Sequence, residues 1–340
     1  MKMNNSNNLT NTIDYKAISG YAQAAATPFS IIGFFANIFL LFILIKHQIF
    51  GKTTYYLLRI SVVSDIICNL TTASGYIITA GANLSYSNSQ ALCRCLTFII
   101  ILSYGVSIMT LCVIGIDRYF VIVRPLSPFY RRFKYQFIGG LFALASIIVF
   151  GLIVPGSLFT SSYPDDTKFC DLTPITPAFS YYLITLAITF YVIPALTLSI
   201  SYCKIIIYMR NYVRPGERVT NLNDDNHKKK KFIKTLIFIT ATYLLISWPF
   251  FATCVGIAIT RRSLRQIRQL GLVYYLLAFF SFSTTASISI VNPFIYYKFD
   301  NAIRSKAKMH LSTIYNMAKS RILATDDMTS NQSTNKSDVA

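Results

Sequence analysis

The sequence predicts an all-α membrane protein, a seven-transmembrane helix bundle with a short amphipathic eighth helix after the last span. Three observations carry that expectation. Charge is scarce: 32 Lys+Arg and 13 Asp+Glu make up 13% of 340 residues, where a soluble domain carries about 25%. Hydrophobic residues reach 54% and aromatics 15%, more apolar surface than so little charge can cover. The charges are also clustered, leaving seven apolar windows, each long enough for the roughly 20 residues that cross a bilayer. These runs do not alternate, which excludes a transmembrane β-barrel. With 14 Gly and 7 Cys in so long and apolar a chain, collagen, intrinsic disorder and a disulfide-stapled miniprotein are excluded too.

In chain order, residues 1–23 read as an extracellular N-terminus. Span one, 24–46, lies in the stretch without charge between Lys16 and Lys46. Span two, 54–80, holds one charge, Asp65, between Arg59 and Arg94. Span three, 92–124, covers the window from Arg94 to Asp117, and span four, 134–156, the window from Lys134 to Asp165. Spans five, 178–209, six, 229–259, and seven, 270–297, occupy the windows ending at Lys204, Arg261 and Lys298. The bundle is therefore 24–297, followed by an amphipathic helix over 298–312 and a disordered cytoplasmic tail over 313–340. Pro194, Pro249 and Pro293 fall inside spans. Membrane helices tolerate them, because neighbouring helices and hydroxyls satisfy the freed carbonyls.

Placing the N-terminus outside puts 24 basic residues on the cytoplasmic side and 8 on the other, as the positive-inside rule requires. The net charge of +19 is thus topology and not a nucleic-acid surface, whose bases would share one solvated face. Sequons at Asn4, Asn8 and Asn83 lie on the expected outer side, and no removable signal peptide is expected. An odd span count without internal repeats or paired broken helices argues against the remaining rival, a transporter.

Motifs stand in order along these spans: Asn37 in span one, Asp65 in span two, Cys93 ahead of Asp117-Arg118-Tyr119, and Pro125 in the next loop. Pro194 and Tyr202 follow in span five, Trp248-Pro249 in span six, and Asn292-Pro293-Phe294-Ile295-Tyr296 closes span seven. This series resembles the rhodopsin-like (class A) G-protein-coupled receptors, neuropeptide receptors among them, from Asn37 to the helix after span seven. The resemblance implies a plasma-membrane receptor, not an enzyme, that passes binding of an outer ligand to a heterotrimeric G protein, with no obligatory cofactor.

It also implies roles. Asp117, Arg118 and Tyr119, with Tyr202, Tyr296, Asn292 and Pro293, would form the coupling and activation apparatus. Many relatives hold the arginine with an acid at the base of span six; here that stretch is His227 and Lys228–Lys231, which predicts a weak inactive lock and raised basal signalling. Ile108, Pro194 and Tyr243 resemble the triad that repacks beneath the ligand, with Tyr in place of Phe. Trp248 would be the core switch, although the family separates this Trp from the Pro by one residue and Ser247 could take that face. The family's sodium site maps to Asp65, Ser107 and Asn292, with Ser289 as a further oxygen. The alternative is a protonated Asp65 bonded to Asn37 and Asn292, since an unpaired intramembrane charge costs about 2.5–3.5 kcal/mol. A Cys93–Cys170 bridge is implied, with Cys95 a competitor lacking the family's offset; Cys68, Cys112, Cys203 and Cys254 read as buried thiols.

Offsets from Arg118 and Asn292 place Ile100, Tyr104, Phe190, Phe250, Phe251 and Phe282 around the ligand, with Ala286 nearby. Amine receptors carry an Asp where Ile100 stands and opsins a Lys where Ala286 stands, so neither chemistry is expected. The third outer loop carries Arg261, Arg262, Arg265 and Arg268. They read either as a lipid-headgroup-facing turn or as a cationic rim for an acidic ligand, a peptide first and an acidic lipid or other amphiphile second. Ser/Thr residues of the tail, Thr329 to Ser337, would serve a receptor kinase and arrestin. The histidines show neither metal-site nor nucleophile–base spacing.

Overall fold

The computed structural model describes residues 15–51, 53–81, 83–125, 128–211 and 219–337, without the side chains of 15, 16, 19, 80, 219–236, 239, 318 and 321–337. Asn4 and Asn8, most of the N-terminal segment, and the side chains of His227 and Lys228–Lys231 lie outside that description. Among the described residues, seven helices are long and apolar enough to cross a membrane: Gly20–Lys46, Thr53–Thr79, Tyr86–Val123, Pro128–Leu158, Pro177–Asn211, Thr240–Thr260 and Leu272–Phe299. Span three is central, packing on spans two, four, five and seven, while span one lies against two and seven.

The helices overrun the apolar windows. The first begins at Tyr15 and the sixth at Val219, because a polar helical turn outside the bilayer leaves no mark in hydropathy. Span four is kinked at Phe133, whose φ of −114° and ψ of 21° are not helical. The stretch Pro128–Arg132 is therefore a turn of loop helix lying ahead of the membrane portion.

Each proline has a structural consequence. Pro194 lacks an N–H, so the Phe190 carbonyl loses its helical donor. The backbone widens into a π turn over Ile188–Val192, and the Tyr104 hydroxyl of span three donates to that carbonyl at 3.3 Å. Pro293 frees the Ser289 carbonyl in the same way. Asn37 Nδ2 reaches it at 2.8 Å and Asn69 Nδ2 at 3.2 Å, tying spans one, two and seven through one oxygen.

Outside the spans, loop two is an antiparallel hairpin of β1 (Thr160–Tyr163) and β2 (Asp166–Leu172), irregular between Ser162 and Tyr163. The helix after span seven runs Asn301–Ser337, with no Gly or Pro in it and helix formers frequent. Asp300 starts this helix by accepting N–H bonds from Ala302 at 2.9 Å and Ile303 at 3.1 Å. Cys68, Cys112 and Cys254 are buried, whereas Cys203 is exposed, since span five turns that face to lipid.

Candidate functional site

In the middle of the bundle Asp65 is buried to 2% exposure. Its Oδ1 accepts from Ser107 at 3.2 Å and Ser103 at 3.4 Å, and its Oδ2 from Asn292 Nδ2 at 2.8 Å. Hydrogen bonds to a charged group contribute about 1.5–3 kcal/mol each, so three offset the insertion cost of one carboxylate. Ser61 extends the cluster through a 2.9 Å bond with Ser107. Ser289 does not join it; its hydroxyl donates to the Ala286 carbonyl at 2.7 Å and faces Cys68. Asn37 is likewise turned to Gly33 and Ser289 and not to Asp65.

At the C-terminal end of span three Asp117 is 1% exposed. Arg118 Nη2 lies 3.1 Å from its Oδ2, and Lys134 Nζ lies 3.2 Å from Oδ1. Tyr130 donates to that same Oδ1 at 2.5 Å, placed there by the loop helix ahead of the Phe133 kink, with its ring stacked 4.9 Å from Phe120. Tyr202 is buried and receives the Thr240 hydroxyl of span six at 3.3 Å; Tyr296 is buried on span seven.

The outer half encloses a cavity of about 320 Å³ lined by Ile100, Phe250, Phe282 and Ala286. Tyr104, Phe190 and Phe251 are absent from its wall and form a packed layer beneath, Phe251 lying 5.5 Å from Tyr104. Ile108, Pro194 and Tyr243 are buried lower still. Trp248 is not among them. It is 54% exposed on the outside of span six, while Ser247 next to it is fully buried. Placing the Trp directly before Pro249 turns it about 100° from the inward face, which leaves Ser247 and not Trp248 packed into the core.

The hairpin roofs the cavity. Cys170 is bonded to Cys93, Arg94 donates to the Thr160 carbonyl at 3.2 Å, and Ser89 donates to the Thr167 carbonyl. Asp171 fastens the roof to loop three, where Leu264–Leu270 form a short helix. Its carboxylate accepts the N–H groups of Leu264 at 2.9 Å and Arg265 at 3.0 Å, and the Tyr163 hydroxyl at 2.8 Å. Arg265 makes a two-pronged pair with Asp165 at 3.0 and 2.5 Å and lies 4.4 Å over Tyr163. Arg268 meets Asp166 at 3.5 Å over Phe169. Arg261 and Arg265 border a separate outer groove, with Tyr163 and Gln269.

Comparison with known protein families matches residues 36–296 to the 7 transmembrane receptor (rhodopsin family). This chain belongs to that family. The receptor is 29% identical to prokineticin receptor 1 of Bos taurus over 253 residues, 70% of this chain and 62% of that protein. It is 25% identical to prokineticin receptor 1 of Homo sapiens over 74% of this chain and 66% of that protein. With the neuromedin-K receptor of Mus musculus it shares 23% over 77% of this chain and 57% of that protein. The chain thus matches under two thirds of the length of these curated relatives. The family is one of seven-transmembrane receptors, and the seven apolar helices make the chain a multi-pass membrane protein.

Sequence reasoning placed the receptor's Asp65, Ser107 and Asn292 in one cluster but missed Ser103, which sits one helical turn before Ser107 on the same face. Tyr130, Lys134 and Asp171 were missed altogether. An aromatic and a base shortly after Asp-Arg-Tyr, and an acid directly after a disulfide cysteine, are too common to stand out in a single sequence.

Proposed function

We propose that the receptor carries binding of an extracellular peptide to a heterotrimeric G protein, with its N-terminus outside. The observation that carries this is the arrangement of span three. One helix lines a roofed outer cavity with Ile100 and holds Arg118 paired with the buried Asp117 at its inner end. A ligand that shifts the outer end acts on the pair through the packed layer between them, Tyr104, Ile108 and Tyr243. The relatives, receptors by name for prokineticin and neuromedin-K, support a peptide. So does an aromatic cavity beneath a polar outer groove, a shape that takes an apolar anchor and a polar chain together.

The cavity also reaches Ala22, Gln23 and Ala26 of span one, which favours the second reading, an acidic lipid or other amphiphile entering with its chain toward that side. Arg261 and Arg262 are exposed and remain for an acidic group, whereas Arg265 and Arg268 are neutralised by Asp165 and Asp166. Asp65, Ser103 and Ser107 present hard oxygens, the donor set that suits a sodium ion. Such an ion would neutralise the Asp65 charge within the bundle. The tail, through Thr329 to Ser337, would serve a receptor kinase and arrestin.

Expression in cells with dissociation sensors for every Gα class, challenged with a peptide library and then an acidic-lipid library, tests this reading. Wild type should activate at least one Gα, and Arg118→Ala should abolish the response at equal surface level. Substrate flux with no Gα response would overturn it.

A further inference from the structure

Tyr243 stands six residues before Pro249 on span six and is 2% exposed. Its ring packs 5.8 Å from that of Tyr104, and its backbone carbonyl accepts the Ser247 hydroxyl at 2.7 Å. Its own hydroxyl lies 3.4 Å from Asn292 Nδ2, the nitrogen that also donates to Asp65 Oδ2 at 2.8 Å. A carboxamide nitrogen carries two N–H donors, so one serves the carboxylate and the other the phenol. A phenylalanine would fill the same space and make no such bond.

The phenol therefore adds span six to a polar cluster whose other members stand on spans two, three and seven. Pro249 lacks the N–H that would bond the Leu245 carbonyl, which makes the backbone most pliable there. Tyr243 lies about 9 Å along the axis on the inner side of that point, so any pivot of the inner half about Pro249 carries Tyr243 with it. In an apolar interior no bulk water replaces a bond lost in such a movement.

We propose that Tyr243 is a positioning residue of this receptor. Its hydroxyl latches the inner half of span six to Asn292, and through Asn292 to Asp65, and the latch opens before span six swings outward. This rests on the G-protein reading for its consequence in signalling, but the latch itself is a property of the fold. The same bond makes span six sensitive to whatever rearranges the Asp65 cluster, because a shift of the Asn292 amide moves both of its acceptors.

The test compares wild type, Tyr243→Phe, Asn292→Ala, the double variant, and Tyr297→Phe. The last removes a different tyrosine hydroxyl, the one that donates to the Ala36 carbonyl at 2.8 Å. Two readouts are taken at equal surface expression: basal nucleotide exchange on Gα, and hydrogen exchange of the span-six backbone amides in purified receptor without ligand. Tyr243→Phe should raise basal exchange several-fold and speed amide exchange on the inner side of Pro249, with Tyr297→Phe unchanged in both. In the Asn292→Ala background the Tyr243→Phe change should add nothing. If Tyr243→Phe matches wild type in amide exchange, or if Tyr297→Phe does the same as Tyr243→Phe, the latch is overturned. Faster amide exchange in Tyr243→Phe with no Gα response from any form supports the latch and overturns the G-protein reading instead.

Discussion

Asp117 is held from two sides at once. The base of span six offers Arg118 only His227 and Lys228–Lys231 in sequence, the basis for expecting a loose Arg118. Asp117 pairs with Arg118 on its own helix and is fixed from a second side through the Tyr130 hydroxyl at 2.5 Å and the Lys134 ammonium at 3.2 Å. A restrained Asp117 restrains the Arg118 paired with it. With Asp117 1% exposed, losing one of these bonds leaves a buried charge less satisfied, at a cost of about 1–3 kcal/mol. Tyr130→Phe is therefore expected to raise basal Gα exchange roughly five-fold or more, since 1 kcal/mol is about a factor of five in an equilibrium. Basal exchange equal to wild type would show that Tyr130 merely packs against Phe120.

Among the elements, the junction between span seven and the following helix carries the clearest pH dependence. Burial raises the Asp300 carboxyl above its ordinary value of 3.8, against the lowering effect of the Ile303 N–H, the Tyr55 hydroxyl and the Ala302 N–H. A folded-state value above the unfolded one means that protonation favours the fold. The contribution is fully present below the unfolded value and is lost as pH rises through the folded one. Asp300→Asn keeps an acceptor for the helix N-terminus and removes the charge. Its melting temperature should vary less than that of wild type between pH 4 and neutrality, and at neutral pH should equal or exceed it. A lower melting temperature at neutral pH would mean that the ionised carboxylate is itself the better cap. Ten residues on, about 15 Å along the axis, the same helix meets loop one through His47 and His310, whose Nε2 atoms lie 3.0 Å apart. That bond requires at least one neutral ring.

For the whole molecule, seven spans and their order were legible because insertion in lipid forces long runs without charge, whereas the Phe133 kink ahead of span four left no mark in the sequence. An epitope tag at the N-terminus should accordingly stain intact cells and one at the C-terminus only permeabilised cells; the reverse pattern would invert the proposed topology. What remained illegible depends on rotation and on long-range pairing. Trp248 could be located in depth, but its outward direction follows from adjacency to Pro249. The aromatics Tyr104, Phe190 and Phe251 were expected in the cavity wall but lie outside it, because whether a ring lines a cavity or underlies it is decided by neighbours on other helices. The rim arginines were visible, and their partners Asp165 and Asp166, about a hundred residues away, were not. Those pairs bear on how a ligand gets in. The roof is closed by three fasteners of different kind: a disulfide worth about 2–4 kcal/mol, the exposed Arg265–Asp165 pair worth about 0–1 kcal/mol, and the Asp171 cap, 2% exposed. Added salt screens only the second. Ionic strength therefore acts on the rate at which the mouth opens and leaves the shape of the closed chamber as it was, so entry and fit are governed by separate parts of the same loop.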